Sequence, residues 1–368
     1  MFSYETIWSI SGSIRARRPL RGPADVQIIP TSRCNAACCF CPLHAIPPRL
    51  MKHTPRFAAG GDLPGGLLDR LADDLYYLGG LKRLTITGGE PLLYSHLVPM
   101  VFQFARSFPE AELSIVTNGT RLKKFGAFLV HARLHDLHVS LNAGTARSYR
   151  EQNPAAGGDT FDEIVAGIET VMKERKRIGS ARPRVTLSVV LTRSSADDVE
   201  ALFELGKRTG VESVTYVPLM EIVLDQEAVN RGLRVEPGRF QRFLDQIGRL
   251  GERARAEGFF LGYAGTASDG GVMDSGNLYR RAPCYSGYSF AAIYPNGDVR
   301  PCCHCEPVMG NLMERSFVEI WHSERYQGQR DQMMGIRENG GALEGCLCGE
   351  CGYVYENMEF HKAMQSNE

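Results

Sequence analysis

The sequence lacks an excess of either charge: 42 Lys and Arg balance 42 Asp and Glu. No basic run dominates, so the electrostatic footprint of a nucleic-acid binder is missing and a small-molecule or peptide substrate fits better. It also lacks any apolar run near the roughly 18 residues that a membrane span needs. Met1 to Ile10 show no basic stretch followed by an apolar core, which gives no support to a secretory signal. These absences lead to the expectation of a soluble, cytoplasmic protein with neither nucleic acid nor membrane as partner. What is abundant is cysteine: eleven, with four between 34 and 41, four between 284 and 305 and three between 346 and 351. Where thiols stay reduced, such clusters ligate metals more often than they form disulfides.

From about residue 24 to 217, short β-rich runs alternate with amphipathic helical stretches, the pattern of a parallel sheet covered by helices. The strands expected are Asp25 to Ile29, Arg83 to Thr87, Glu112 to Thr117, Leu137 to Leu141, Arg184 to Leu191 and Ser213 to Val217. The helices between them fall at Gly66 to Leu78, Ser95 to Phe108, Leu122 to Ala132, Thr160 to Ile178 and Ser195 to Thr209. Six βα repeats suit an open, partial TIM-like barrel better than a closed eightfold one, which takes about 250 residues. The rhythm changes after Val217, where a bridging helix from Pro237 to Glu257 leads to a Gly-rich stretch, Gly262 to Gly276, and a cysteine-rich tail. The division expected is an N-terminal arm at 1–23, an α/β partial (β/α)6 barrel at 24–235, and a bridging helix with a small cysteine-rich domain at 236–368. The loop from Pro47 to Gly66, rich in Gly and Pro, is a candidate lid.

Cys34, Cys38 and Cys41 form CxxxCxxC just after the first strand, at the end where parallel sheets place their sites. Three thiolates in one short loop can each hold one iron of a cubane and leave the fourth iron open. Zinc is the alternative, but it takes four ligands, commonly in CxxC pairs, and Cys39 and His44 would have to join. Cys39 reads as a packed bystander. The segment, with Phe40 before the last cysteine, resembles the motif of the radical S-adenosylmethionine (SAM) superfamily.

That resemblance implies a 4Fe-4S cluster on the three cysteines, reductive cleavage of SAM to a 5'-deoxyadenosyl radical, and removal of a hydrogen from the substrate. Gly88-Gly89-Glu90-Pro91 after the second strand is similar to the family's turn for the SAM amino group. Asn118, Ser140, Asn142 and the downstream Arg150 resemble its strand-end contacts to the ribose and carboxylate, although the family's usual acidic residue is Asn142 here. Asn and Gly after strands are equally ordinary turn residues.

In the tail, Asn296-Gly297 signals a two-residue hairpin between β-rich runs. Cys284 and Cys302 flank it, and Cys348-Gly-Glu-Cys351 closes the pattern. The whole resembles the SPASM and twitch domains of the superfamily, as does the helical Val318 to Ser323 stretch. The compressed Cys302-Cys303-His304-Cys305 run fits a twitch-like domain with one auxiliary cluster, expected as 4Fe-4S, on Cys284, Cys302, Cys348 and Cys351, with Cys346 able to replace Cys348. A zinc ribbon is the alternative. Cys303, Cys305 and Cys346 are then surplus, either inert in the core or hydrogen donors to a substrate radical.

The resemblance implies an external electron donor such as flavodoxin or ferredoxin. It also implies a net outcome set by the auxiliary cluster: oxidation if the cluster accepts an electron, epimerisation if a thiol returns a hydrogen. The expectation is an oxidoreductase acting on a small natural-product intermediate such as a sugar or cyclitol, because about 23 residues precede the first strand, too few for a leader-binding domain. Peptide crosslinking or epimerisation is the second reading, and a non-catalytic metal-stabilised binding protein the third.

Overall fold

Apolar residues on alternate positions bury one face of each strand, and in the computed structural model they do so where the pattern places them. The structure describes residues 4–41, 61–219, 232–265 and 278–365. The strands are β1 Asp25–Ile28, β2 Arg83–Ile86, β3 Glu112–Thr117, β4 Asp136–Ser140, β5 Arg184–Val190, β6 Ser213–Val217, β7 Phe260–Tyr263, β8 Phe290–Ile293, β9 Asp298–Arg300 and β10 Gly310–Asn311. The helices are α1 Tyr4–Arg15, α2 Gly65–Leu78, α3 Leu97–Ser107, α4 Leu122–His131, α5 Ala146–Gln152, α6 Thr160–Arg177, α7 Val199–Thr209, α8 Pro237–Ala256, α9 Phe317–Trp321, α10 Glu324–Met334 and α11 Val354–Gln365. Shorter helical turns complete the set. The expected lid loop up to residue 60, and the Gly-rich stretch from residue 266 to 276, lie outside the described residues. No helix among the described residues is long and apolar enough to cross a membrane.

The chain packs as two compact units, one of residues 1–33, 51–113 and 274–368, the other of 34–50 and 114–273. In the first, the strands run in the order β10-β9-β8-β1-β2. β1 is parallel to both β2 and β8, with Val26 level with Leu84 on one side and Ala291 on the other. All four residues of β8 are buried, as a strand paired on an inner position requires. The sequence suggests that the cysteine-rich tail stands apart, yet β8 extends the same run of strands as β1, because its apolar Phe-Ala-Ala-Ile segment can bury both faces. The expected hairpin follows: β8 and β9 are antiparallel, and Gly297 between them takes a φ of 84°.

α1 is ordered against this unit rather than lying loose as an arm. Ile10 and Ile14 pack with Tyr285, Tyr353 and Phe360, so the amino- and carboxyl-terminal helices share one apolar core. Arg83 bridges Asp25 and Glu356 at 2.5 and 2.9 Å, which pins α11 to β1 and β2. The Trp321 indole N–H donates to the Arg21 carbonyl at 2.8 Å. Ser316 and Glu319 form a reciprocal capping box that starts α9.

Arg330 on α10 is fully buried. Its guanidinium donates to the Gly287 and Trp321 carbonyls and lies over the rings of Trp321 and Tyr326. Replacing it with Met removes two charge-assisted hydrogen bonds and leaves two carbonyls unpaired. We expect Arg330→Met to lower stability by about 3 kcal/mol; a denaturant midpoint within error of wild type would contradict this account.

In the second unit the order is β3-β4-β5-β6-β7, with each described pair parallel. β7 is a strand that the sequence pattern does not announce: four residues after the long helix α8, too short to show alternation. α8 closes over it, with Phe243 edge-on to Tyr216 and Tyr263. α4 and α6 approach closely because Gly126 carries no side chain; a Cβ there would fall 2.9 Å from Val171.

Candidate active site and cysteine centres

The polypeptide leaving β1 turns into the cysteine loop, and its first residues are stitched to the Gly88-Gly89-Glu90 turn. The Gly89 N–H donates to the Thr31 carbonyl at 3.0 Å and the Glu90 N–H to the Arg33 carbonyl at 2.7 Å. A Cβ on Gly89 would lie 2.1 Å from the Arg33 carbonyl oxygen, so only glycine permits this approach. Glu90 itself is fully buried, and its carboxylate accepts from the Leu92 N–H at 2.9 Å as the cap of a short 3₁₀ turn. Its side chain thus fixes the turn's shape.

In the second unit, Cys34, Cys38 and Cys41 are partly buried, on a loop tied to α5 and closed by its own turn. The Cys39 N–H donates to the Gln152 carbonyl at the end of α5, and the Cys41 N–H closes a turn on the Cys38 carbonyl. Asn118, expected as a cofactor contact, instead directs its amide toward Cys34 Sγ at 3.8 Å and donates to Asn35 at 2.9 Å, while its oxygen accepts from Thr120. The Cys38 thiol is pushed up to about 12, by burial first and then by the charges of Cys41 and Cys34, against an Asn153 side-chain hydrogen bond. Three sulfurs that would repel one another as thiolates in a poorly solvated turn suit a cationic iron centre, which displaces their protons.

The other expected cofactor contacts diverge. Asn142 has a φ of 61° and is buried. Its Oδ1 accepts from the Val190 N–H of β5 at 2.9 Å, and its Nδ2 donates to the Ser140 carbonyl at the end of β4, so the amide links the end of β4 to β5. Ser140 ends β4 half-buried, and Arg150 lies exposed on α5. The side chain of Asn142 is therefore engaged within the protein, for the reason that Asn tolerates left-handed backbone and pairs locally.

Beside the loop lies a cavity of about 810 Å³, lined by Cys39, Ser148, Gln152, Arg193, Asp198 and Arg239 among others. Apart from Cys39 these residues follow β4, β5 and β6, at the carboxyl ends of parallel strands, where α/β folds place ligands. Asp198 takes hydrogen bonds from the Gly144 N–H and Ser148 Oγ, and burial raises its carboxyl above the usual range against those two bonds. Asp198 and Gln152 carry no signal in the sequence, since their relation to the cysteine loop appears only on folding. Cys39 lines this cavity, where the sequence suggests a bystander packed away.

In the first unit, Cys284, Cys302, Cys348 and Cys351 come together from three separate stretches and line one cavity with Tyr279, Ser286, His304 and Tyr353. None of the four is joined in a disulfide. Burial pushes Cys284 and Cys348 up to about 11. Cys302 and Cys351 stand well above the usual thiol range, the former through its hydrogen bond with Cys303 and then burial, the latter through burial. Hydrogen bonds to the sulfurs come from Tyr279, Ser286 and the backbone N–H groups of His304 and Tyr353.

Cys305 and Cys346 are joined in a disulfide across an isolated β-bridge. This corrects two expectations: neither carries an S–H hydrogen to donate, and Cys346 is not a free alternative to Cys348. Cys303 is outside that disulfide and packs against the same apolar cluster. Among the described residues, no three Cys, His, Asp or Glu side chains stand at the spacing of a single metal ion. The cavity is about 20 Å³. The donor set fits an iron-sulfur cluster: four sulfurs, two buried and two partly buried, with hydrogen-bonding groups beside Cys284, Cys302 and Cys351.

Residues 28–206 match the radical SAM superfamily, and residues 284–352 match SPASM, an iron-sulfur cluster-binding domain. A probable GTP 3',8-cyclase of Metallosphaera sedula is 27% identical over 210 residues, 57% of this chain and 59% of that protein. The chain spans about half to three-fifths of the length of the first curated relatives it matches. Among solved structures, Streptococcus suis SuiB bound to the precursor peptide SuiA has a TM-score of 0.63 at 15% identity, covering 94% of this chain and 75% of that one. Native anSMEcpe with bound AdoMet has a TM-score of 0.61 at 15% identity, covering 94% and 97%. With CxxxCxxC on the loop after β1, the glycine turn bonded to that loop's first residues and a second set of cysteines within the SPASM match, the chain carries a radical SAM domain at residues 28–206 and a SPASM domain at residues 284–352.

Proposed function

We propose that Cys34, Cys38 and Cys41 hold the 4Fe-4S cluster at which SAM is reductively cleaved, and that Cys284, Cys302, Cys348 and Cys351 hold one auxiliary cluster. The gathering of those last four thiols around one cavity carries this reading. When bound, the first cluster and SAM supply a carbon radical able to remove a substrate hydrogen. The chain's own part is to hold that substrate and keep water away from it. The cavity beside Cys39 suits a small polar molecule, since about 810 Å³ is within the usual range of ligand pockets. Its walls carry Arg147, Arg193, Arg239, Glu151, Asp197 and Asp198, a charged lining that suits a hydroxylated ligand such as a sugar or cyclitol. The relatives named for a nucleotide cyclisation support a small molecule over a peptide.

On this reading the reaction is a net oxidation or an epimerisation, with flavodoxin or ferredoxin as electron source. Anaerobic reconstitution followed by SAM and dithionite tests it, with 5'-deoxyadenosine measured by mass spectrometry. Turnover above background is expected; protein that binds zinc, holds no iron and releases no 5'-deoxyadenosine would end the proposal. Deuterium transfer into 5'-deoxyadenosine from a labelled peptide, and from no labelled sugar or cyclitol, would replace the small-molecule substrate with a peptide.

Glu90 gives a second test. Glu90→Ala removes the cap on Leu92, costing about 1 kcal/mol of stability, and loosens the glycine turn proposed to meet the SAM amino group. SAM affinity is expected to drop about tenfold, while Glu90→Gln, which keeps an accepting oxygen, loses less. Equal SAM affinity in wild type and Glu90→Ala would dissociate this turn from the cofactor.

A further inference from the structure

Tyr279 belongs to no sequence motif, yet its hydroxyl lies 3.0 Å from Cys351 Sγ and its side chain is 1% exposed. It shares the cavity of Cys284, Cys302 and Cys348. Three other bonds to these sulfurs are longer: Ser286 Oγ to Cys284 at 3.2 Å, the Tyr353 N–H to Cys351 at 3.3 Å and the His304 N–H to Cys302 at 3.4 Å. A thiolate on iron has no proton, so in this contact the phenol must be the donor. A fixed donor beside a cluster sulfur stabilises the reduced form more than the oxidised one, because the added electron increases negative charge on the sulfurs. Burial prevents water from taking over the donor's place.

Resting on the proposed auxiliary cluster, we propose that Tyr279 is a positioning residue whose hydroxyl raises the reduction potential of the cluster bound through Cys351, fitting that cluster to accept an electron. Tyr279→Phe keeps the ring and deletes only the donor. The experiment is a redox titration of the full chain, reconstituted anaerobically and followed by paramagnetic resonance, with iron and sulfide counted in parallel. Iron content and the signal of the SAM-site cluster are expected to stay at wild-type values. At the wild-type auxiliary midpoint, the ratio of reduced to oxidised auxiliary cluster is expected to fall about tenfold, a shift of about 59 mV for a one-electron couple.

Two cluster signals with an unmoved auxiliary potential would overturn the role of Tyr279 alone. Loss of auxiliary iron in Tyr279→Phe would also overturn it, making the residue a packing element. A wild-type protein with only one cluster would remove the reading beneath it.

Discussion

Cys38→Ala is expected to reduce SAM cleavage by at least about a hundredfold, the loss already typical when only a partner of a metal ligand is altered. The Cys38 thiol senses both other cysteines, with Cys41 and Cys34 raising its proton affinity after burial. The turn that carries it is closed by main-chain atoms, the Cys41 N–H on the Cys38 carbonyl and the Cys39 N–H on the Gln152 carbonyl. Alanine leaves those bonds in place. Lost cleavage therefore reports a lost ligand rather than a lost loop, provided that the melting temperature stays within a few degrees of wild type. Cys39→Ala is the internal comparison: its thiol faces the cavity and is raised chiefly by burial, so iron content and cleavage are expected to persist. Cleavage retained in Cys38→Ala, with a full iron count, would show that the three cysteines are not the cluster's ligands.

The parts of this site that were legible in the sequence are those encoded over short distances. Six strands appear from alternation alone, because one buried face per strand writes a period of two into the chain. CxxxCxxC and the glycine turn are local spacings as well. What stayed hidden depends on pairs far apart in sequence. Asn118 and Asn142 have the same appearance, a polar residue after a strand, and folding uses both partly inside the protein: one toward Cys34 and Asn35, the other between β4 and β5. Cys305 and Cys346 are 41 residues apart, and nothing in their spacing says that they meet. α5, only seven residues long, hides within a stretch read for cofactor contacts, although its Thr145 and Ser148 capping box marks its start. α10 and α11 have little apolar periodicity; α10 buries Arg330 and Gln329 in place of an apolar stripe.

Cys284→Ala and Cys351→Ala are expected to do the opposite of Cys38→Ala: SAM cleavage continues, and product formation falls about a hundredfold or more. The two cysteine sets belong to different units of the chain. Removing an auxiliary ligand is expected to leave the Cys34 to Cys41 turn intact. Cys284 is held by Ser286, and Cys351 by Tyr279 and the Tyr353 N–H, so each substitution removes a sulfur together with the purpose of its donors. The expected signature is uncoupling: 5'-deoxyadenosine accumulates, part of the iron is lost, and the substrate is consumed without yielding the wild-type product. A merely structural role for these thiols would lower product and cleavage together, in step with a lower melting temperature. Product formed at the wild-type rate by either variant would remove the auxiliary cluster from the reaction and leave the seven-cysteine tail as a scaffold.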